Sequence, residues 1–231
     1  MRKVITVDGL AGSGKSTLAK LLSQKLGSVH FNSGLLYRAV GLLALQEGVD
    51  VTNAKKAAAL LDQHVIELRG DAKRGTQLMV DGKDMTEFVK TVEISTATSI
   101  TSAHYEVRQR LVSLQREIFP EHNMVAEGRD MGTVIFPESE LKFYVVADLQ
   151  VRVTRRLAML FGELGEIPVS ERNLLKVKVE SELVERDRRD SGREVAPLKP
   201  AHDAIMIDNS SRSLTEIVQS MYDAALRRGL C

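Results

Sequence analysis

The chain has 231 residues, with 32 Lys plus Arg against 31 Asp plus Glu and a formal net charge of +1. That balance argues against a dedicated nucleic-acid surface, which carries a basic excess, and leaves open a small anionic ligand held by locally clustered arginines. One cysteine, Cys231, excludes an internal disulfide or a thiolate metal site, and His30, His64, His104, His122 and His202 lack ligand spacing.

The length suits one large domain, and aromatic residues are too sparse, at 4% with no Trp, to dominate its core. Leu, Ile, Val, Ala and Met must fill it. No apolar run is long enough for a membrane span. The apolar stretch between Lys3 and Asp8 is too short for a secretory leader, so a cytoplasmic, soluble protein is expected.

The first predicted strand covers Lys3 to Val7. It runs into Gly9-Leu10-Ala11-Gly12-Ser13-Gly14-Lys15-Ser16, a complete G-x-x-x-x-G-K-[ST] motif, followed by Thr17. Leu18, Leu21, Leu22 and Leu26 then recur at helical spacing, with Gly27 as a stop signal. Strand, glycine loop and helix start together make a phosphate site. Glycines let the backbone approach an anion, the loop N–H groups form a nest, and the helix start adds free donors and a positive dipole end. Lys15 would reach the β- and γ-phosphates of ATP, and the Ser16 hydroxyl would ligate Mg²⁺.

A second strand, Val29 to Phe31, leads to Asn32-Ser33-Gly34 and a helix from about Leu35 to Glu47. Asn32 or Ser33 would cap that helix, and Arg38 lies one turn inside it. This pattern fits a second anion site, and equally an ordinary cap beside an exposed arginine. From His64 to Thr86 the pattern turns β-rich, with Val65, Ile66 and Leu68, then Gln77 to Val80, then an Asp81-Gly82 turn. This reads as a small β insert carried on the main sheet. An amphipathic helix covers Tyr105 to Ile118.

Further strands are Met124 to Glu127, Leu141 to Ala147 and Ala204 to Ile207. Helices cover Gln150 to Phe161 and a segment from about Ser213, with Glu216 completing a capping box. Five buried parallel strands alternating with helices predict an α/β, P-loop NTPase-type three-layer fold. Ligands of such sheets bind beyond the carboxyl ends of the strands. Gly9, Ser33 and Arg129 all fall there. Arg186, Arg189 and Arg193 are spaced to share one helical face if the helix persists, which suits a lid closing over phosphates. A solvated face paired with Glu182 and Glu185 is the alternative.

Together these segments resemble bacterial-type cytidylate kinase over nearly the whole chain. The similarity rests on Val7 to Thr17, Asn32 to Arg38, Gly128-Arg129-Asp130-Met131-Gly132-Thr133-Val134-Ile135-Phe136-Pro137, and Arg186 to Leu198. The resemblance implies a nucleoside monophosphate kinase domain over residues 1–231. Its core would span 1–36, 104–150 and 200–231, with a monophosphate-binding insert at about 37–103 and a helical lid at about 160–195.

It further implies γ-phosphoryl transfer from ATP to CMP or dCMP with Mg²⁺, by a monomer whose partners are these small molecules alone. Ser99, Arg108 and Asp130 would contact cytosine, and Arg38 and Arg129 the acceptor phosphate. Arg186 and Asp190 would contact the sugar, Arg193 would reach phosphate, Ser33 would join the substrate site, and Arg152 and Arg156 would flank adenine. Lys15, Arg129, Arg186, Arg189 and Arg193 would stabilise the transferring group. Two positions depart from the family pattern: Asn32 and Glu127 both stand where Asp is usual. A kinase for UMP, dTMP or a non-nucleotide alcohol would carry the same P-loop, and an ATP-dependent switch is the non-enzymatic alternative.

Overall fold

In the computed structural model, residues 2–71, 75–164 and 168–230 are described. Five parallel strands form the central sheet: β1 (Val4–Gly9), β2 (Val29–Asn32), β6 (Met124–Gly128), β7 (Leu141–Val146) and β8 (Ile205–Asp208), in the order β2-β6-β1-β7-β8. Their register is continuous, with Val7 opposite Glu127 on one side and Phe143 on the other.

Side chains alternate between faces at the strand repeat of two. Ile5, Val7, Val125, Leu141, Phe143 and Val145 point to a face covered by α1 (Lys15–Leu26) and α8 (Leu214–Arg227). Phe31, Met124 and Ala126 point to the other, beneath α2 (Gly34–Gln46) and α5 (Tyr105–Glu117). The expected capping box is present at Ser213 and Glu216.

Strands β3 (Ile66–Asp71), β4 (Gly75–Val80) and β5 (Lys83–Asp84) form the small β insert, a separate antiparallel sheet. Asp81-Gly82 makes the two-residue turn between β4 and β5 that such hairpins favour. The insert abuts the core where Thr76 Oγ1 donates to the carbonyl of His30. Two further helices, α3 (Ala54–Gln63) and α4 (Val92–Thr101), complete the region.

Helices α6 (Leu149–Leu164) and α7 (Val169–Gly192) run antiparallel: Gln150 and Arg152 at the start of α6 meet Glu180 and Asp187, while Phe161 near its end meets Arg172 at the start of α7. Val153, Leu160, Val179 and Leu183 pack together with Ala11 of the glycine loop. Part of the expected lid, residues 165–167, lies outside the described residues. Helix α7 ends at Gly192, and Arg193 is its C-cap residue (φ −62°, ψ 138°), from which the chain turns away from the helix. No described helix is long and apolar enough to cross a membrane.

Candidate active site

The glycine loop opens where β1 meets β7. At Gly9, with φ of 152°, an added Cβ would lie 2.2 Å from the Val145 carbonyl oxygen, so only glycine lets the chain turn here. The Leu10 amide donates to that same carbonyl at 3.4 Å. Gly12 and Gly14 follow with positive φ, and α1 starts at Lys15. Asn209 Nδ2, beyond β8, holds the Ser13 carbonyl at 2.8 Å, and Arg155 donates to it at 3.4 Å. Ser16 and Thr17 are exposed at the helix start.

Lys15 is buried and folds back to donate to the Leu10 carbonyl at 3.3 Å. Burial pushes its ammonium down to about 7, and Arg129 adds repulsion. Ser16 Oγ donates to Glu127 Oε2 at 2.8 Å, and His30 Nε2 lies 3.8 Å from Glu127 Oε1. Both groups are buried, and burial holds the imidazole below its ordinary value. The longer Glu127 side chain therefore still meets the phosphate-loop hydroxyl.

At the start of α2, Asn32 Oδ1 accepts from the Gly34 amide at 3.0 Å. Ser33 occupies the cap position of α2 without capping it; its hydroxyl donates to the Glu127 carbonyl at 2.8 Å, across the sheet. Arg38 donates to the Val89 carbonyl at 2.5 Å, which ties the first turns of α2 to the insert. Burial lowers its guanidinium to about 10, with repulsion from Arg156 and Arg129.

Arg108 and Asp130 form a buried ion pair, with Arg108 stacked 5.2 Å above the Tyr37 ring and donating to the Ser102 carbonyl at 3.1 Å. Ser99 is also buried. Arg129 Nε donates to Asp190 Oδ2 at 2.9 Å, and Arg193 lies 3.9 Å from Asp190 Oδ1. Burial alone would raise the Asp190 carboxyl, but Arg129, Arg186 and Arg193 outweigh it and hold it below its ordinary range. Arg186 is lowered to about 9, by burial first and then by Arg129. Arg189 Nε lies 3.7 Å from Glu185, which accepts from Arg188 at 2.9 Å.

The fold thus gathers Lys15, Arg38, Arg129, Arg186 and Arg193 at the carboxyl edge of the sheet, with Glu127 and Asp190 among them. Lys15, Arg38 and Arg186 are each lowered by burial and by repulsion from Arg129, while Asp190 holds Arg129 above its ordinary value, and such a cluster of cations is the electrostatic form of a polyanion site. Arg189 stands apart from this group. Arg156 sits within electrostatic reach of both Arg38 and Arg186. Arg152 is buried against the glycine loop, donating to the Ala11 carbonyl at 3.1 Å and to Asp187 Oδ2 at 2.5 Å. In this conformation Arg152 is engaged with the glycine loop and Asp187 rather than open as an adenine platform.

Four groups escaped the sequence reading. Asp187 also accepts from the Ala11 amide at 3.2 Å. Tyr37 lies under Arg108, and Asn209 grips the phosphate loop. Asp8 accepts from two backbone amides beyond β6. Asp8 and Asp187 each adjoin a recognised motif, which is the only signal the sequence offered.

A glycine loop at a parallel-sheet edge, faced by arginines from three other segments, defines a P-loop kinase. Residues 5–227 match the family described as Cytidylate kinase, and the chain belongs to that family. Among its relatives, the cytidylate kinase of Thermotoga neapolitana is 38% identical over 217 residues, covering 94% of each chain. That of Thermotoga maritima is 40% identical, covering 93% of this chain and 92% of its own. That of Pseudomonas savastanoi pv. phaseolicola is 37% identical over 229 residues, covering 98% and 96%.

Proposed function

We propose that the protein transfers the γ-phosphoryl group of ATP to CMP or dCMP, giving ADP and CDP or dCDP. The observation that carries this reading is the pairing of two anion cradles: the glycine loop with Lys15, and the facing arginines Arg38, Arg129 and Arg186. The Arg108–Asp130 pair supplies the chemistry for a cytosine edge. A carboxylate can accept from the exocyclic amine, where uracil would present a carbonyl. Ser99 would serve a second edge atom, and Arg186, Asp190 and Arg193 the sugar and phosphate.

The acceptor is itself a phosphate, so its attacking oxygen needs no strong base. Phosphoryl transfer passes through a loose arrangement in which charge spreads over the moving group. The protein's work is then alignment and charge stabilisation. Lys15 and Arg186 hold charge on the moving group, while Arg38 and Arg129 orient the acceptor. Packing of α7 against the glycine loop would keep water from the γ-phosphate.

Ser16 and Glu127 provide adjacent oxygen donors at the mouth of the loop. Among the described residues no group of three or more His, Cys, Asp or Glu forms a metal cage. That donor set fits Mg²⁺, which keeps waters and shares substrate phosphates. Ser16 would hold it, with Glu127 ordering its waters. When bound, the ion neutralises charge on the β- and γ-phosphates. We read the working form as a cytoplasmic monomer with only these small-molecule partners, consistent with a net charge of +1 and one cysteine.

A panel of CMP, dCMP, UMP, dTMP and AMP, assayed for ADP release with ATP and Mg²⁺, tests the proposal. CMP and dCMP should be the best acceptors. Equal turnover of UMP removes the cytosine assignment, and no acceptor-stimulated ADP removes the kinase reading.

A further inference from the structure

Asp8 is the residue before the phosphate loop, yet its side chain serves the opposite cradle. It is buried at the end of β1, in register with Gly128 of β6. Its Oδ1 accepts from the Met131 amide at 2.9 Å, and its Oδ2 from the Gly132 amide at 2.8 Å. These are the two residues immediately after Arg129 and Asp130.

They open a single helical turn, Met131–Ile135, closed by the Val134 and Ile135 amides on the Asp130 carbonyl at 2.9 and 3.1 Å. The first amides of such a turn have no acceptor within it, and a buried N–H without a partner is costly. Asp8 satisfies two of them with one group. No phosphate, base or sugar role falls to it in the reaction above. Burial pushes its carboxyl up to about 7, with the two amides pulling the other way, so the site keeps an acid here against its desolvation cost.

We propose that Asp8 is a positioning residue for the acceptor: through Met131 and Gly132 it fixes Arg129 and Asp130 relative to the phosphate loop that its own backbone opens. The inference rests on the kinase reading given above. One residue thereby sets the distance between the two cradles. Its backbone continues into Gly9 on the donor side, and its carboxylate anchors the acceptor side. An Asn here offers one acceptor, and its amide group opposes the other N–H.

Kinetics of the full chain with each substrate varied, wild type against Asp8→Asn, test this. Failure of the wild type to phosphorylate CMP would overturn the kinase reading itself. With an active wild type, Asp8→Asn should raise the KM for CMP about tenfold and cut the CMP-over-UMP preference by about tenfold, leaving the KM for ATP within about twofold. A role confined to holding the fold would lower Tm while leaving both KM values and the preference intact, and that result overturns the proposal. Should Asp8→Asn not fold, Asp8→Glu carries the same test, since it keeps the charge and misplaces it by one methylene. Amide exchange of the wild type gives an independent reading: Met131 and Gly132 should be strongly protected, and rapid exchange at both overturns it.

Discussion

Arg129 Nε and Asp190 Oδ2 lie 2.9 Å apart, joining the loop beyond β6 to the last turns of α7. The same carboxylate faces Arg193 at 3.9 Å. Helix α7 and the loop beyond β6 are therefore coupled through one acid.

Removing that acid should be felt twice. Asp190→Ala leaves Arg129 largely buried without its partner, and breaking such a pair costs roughly 3–5 kcal/mol. The KM for CMP should rise by about tenfold as Arg129 loses its orientation. Urea unfolding and acceptor kinetics measure the two effects. A stable variant with wild-type KM would remove both the sugar contact and the positioning of Arg129.

The strands and the glycine loop were legible because their signals are local: an apolar run from Val4 to Val7, then a motif whose glycines the backbone requires. Helix α4 was not. Its Ile94-Ser95-Thr96-Ala97-Thr98-Ser99 run favours strand or turn by propensity, and packing overrides that preference. The override is visible at Gly41 of α2, where a Cβ would sit 2.6 Å from Thr98 Oγ1. The fate of each arginine was hidden for a different reason. Spacing put Arg186, Arg189 and Arg193 on one face, but Arg193 caps the end of α7, and Arg189 comes only within 3.7 Å of Glu185, which accepts its hydrogen bonds from Arg188. Likewise the sequence cannot tell which carboxylate of Asp187 and Asp190 meets the phosphate loop, because that depends on how α7 rotates against α6.

Lys15 should reveal its depressed proton affinity on binding ATP. Its value falls to about 7 through burial and the neighbouring arginines. A triphosphate favours the ammonium form, so binding above pH 7 should draw a proton onto the protein, and apparent affinity should fall as pH rises. Calorimetry in buffers of different ionisation enthalpy measures the uptake, which should approach one proton near pH 8.5 and vanish in Lys15→Met. That variant should stay folded and lose about 10³-fold in kcat. Near-normal turnover would contradict the role of Lys15.

The Arg152–Asp187 pair, 2.5 Å apart with both side chains largely buried, clasps α6, α7 and the Ala11 peptide together. Asp187→Ala should lower stability and weaken the seating of α7 on the loop. Because the two residues share partners, the single and double variants with Arg152→Ala should be non-additive, with a coupling of about 1–3 kcal/mol by urea unfolding. Additive losses would mean that the clasp is not a functional unit. ATP hydrolysis without acceptor should rise in Asp187→Ala, since looser packing admits water to the γ-phosphate.

A last prediction concerns the insert, at a distance from the chemistry. His64 Nδ1 lies 2.7 Å from Asp81, and Nε2 lies 2.5 Å from Glu47, so one imidazole bridges the ends of α2 and α3 and the β4–β5 turn. Only the imidazolium can donate from both nitrogens. Asp81 and then Glu47 accordingly hold its value above the ordinary 6.5, while His64 holds Asp81 below the usual carboxylate range. A histidine raised in the folded state contributes stability fully below its unfolded value and loses it as pH rises through the folded one. The Tm advantage of wild type over His64→Gln should therefore be large near pH 6 and shrink as pH rises through the raised value. A pH-independent difference would show that His64 acts by packing alone.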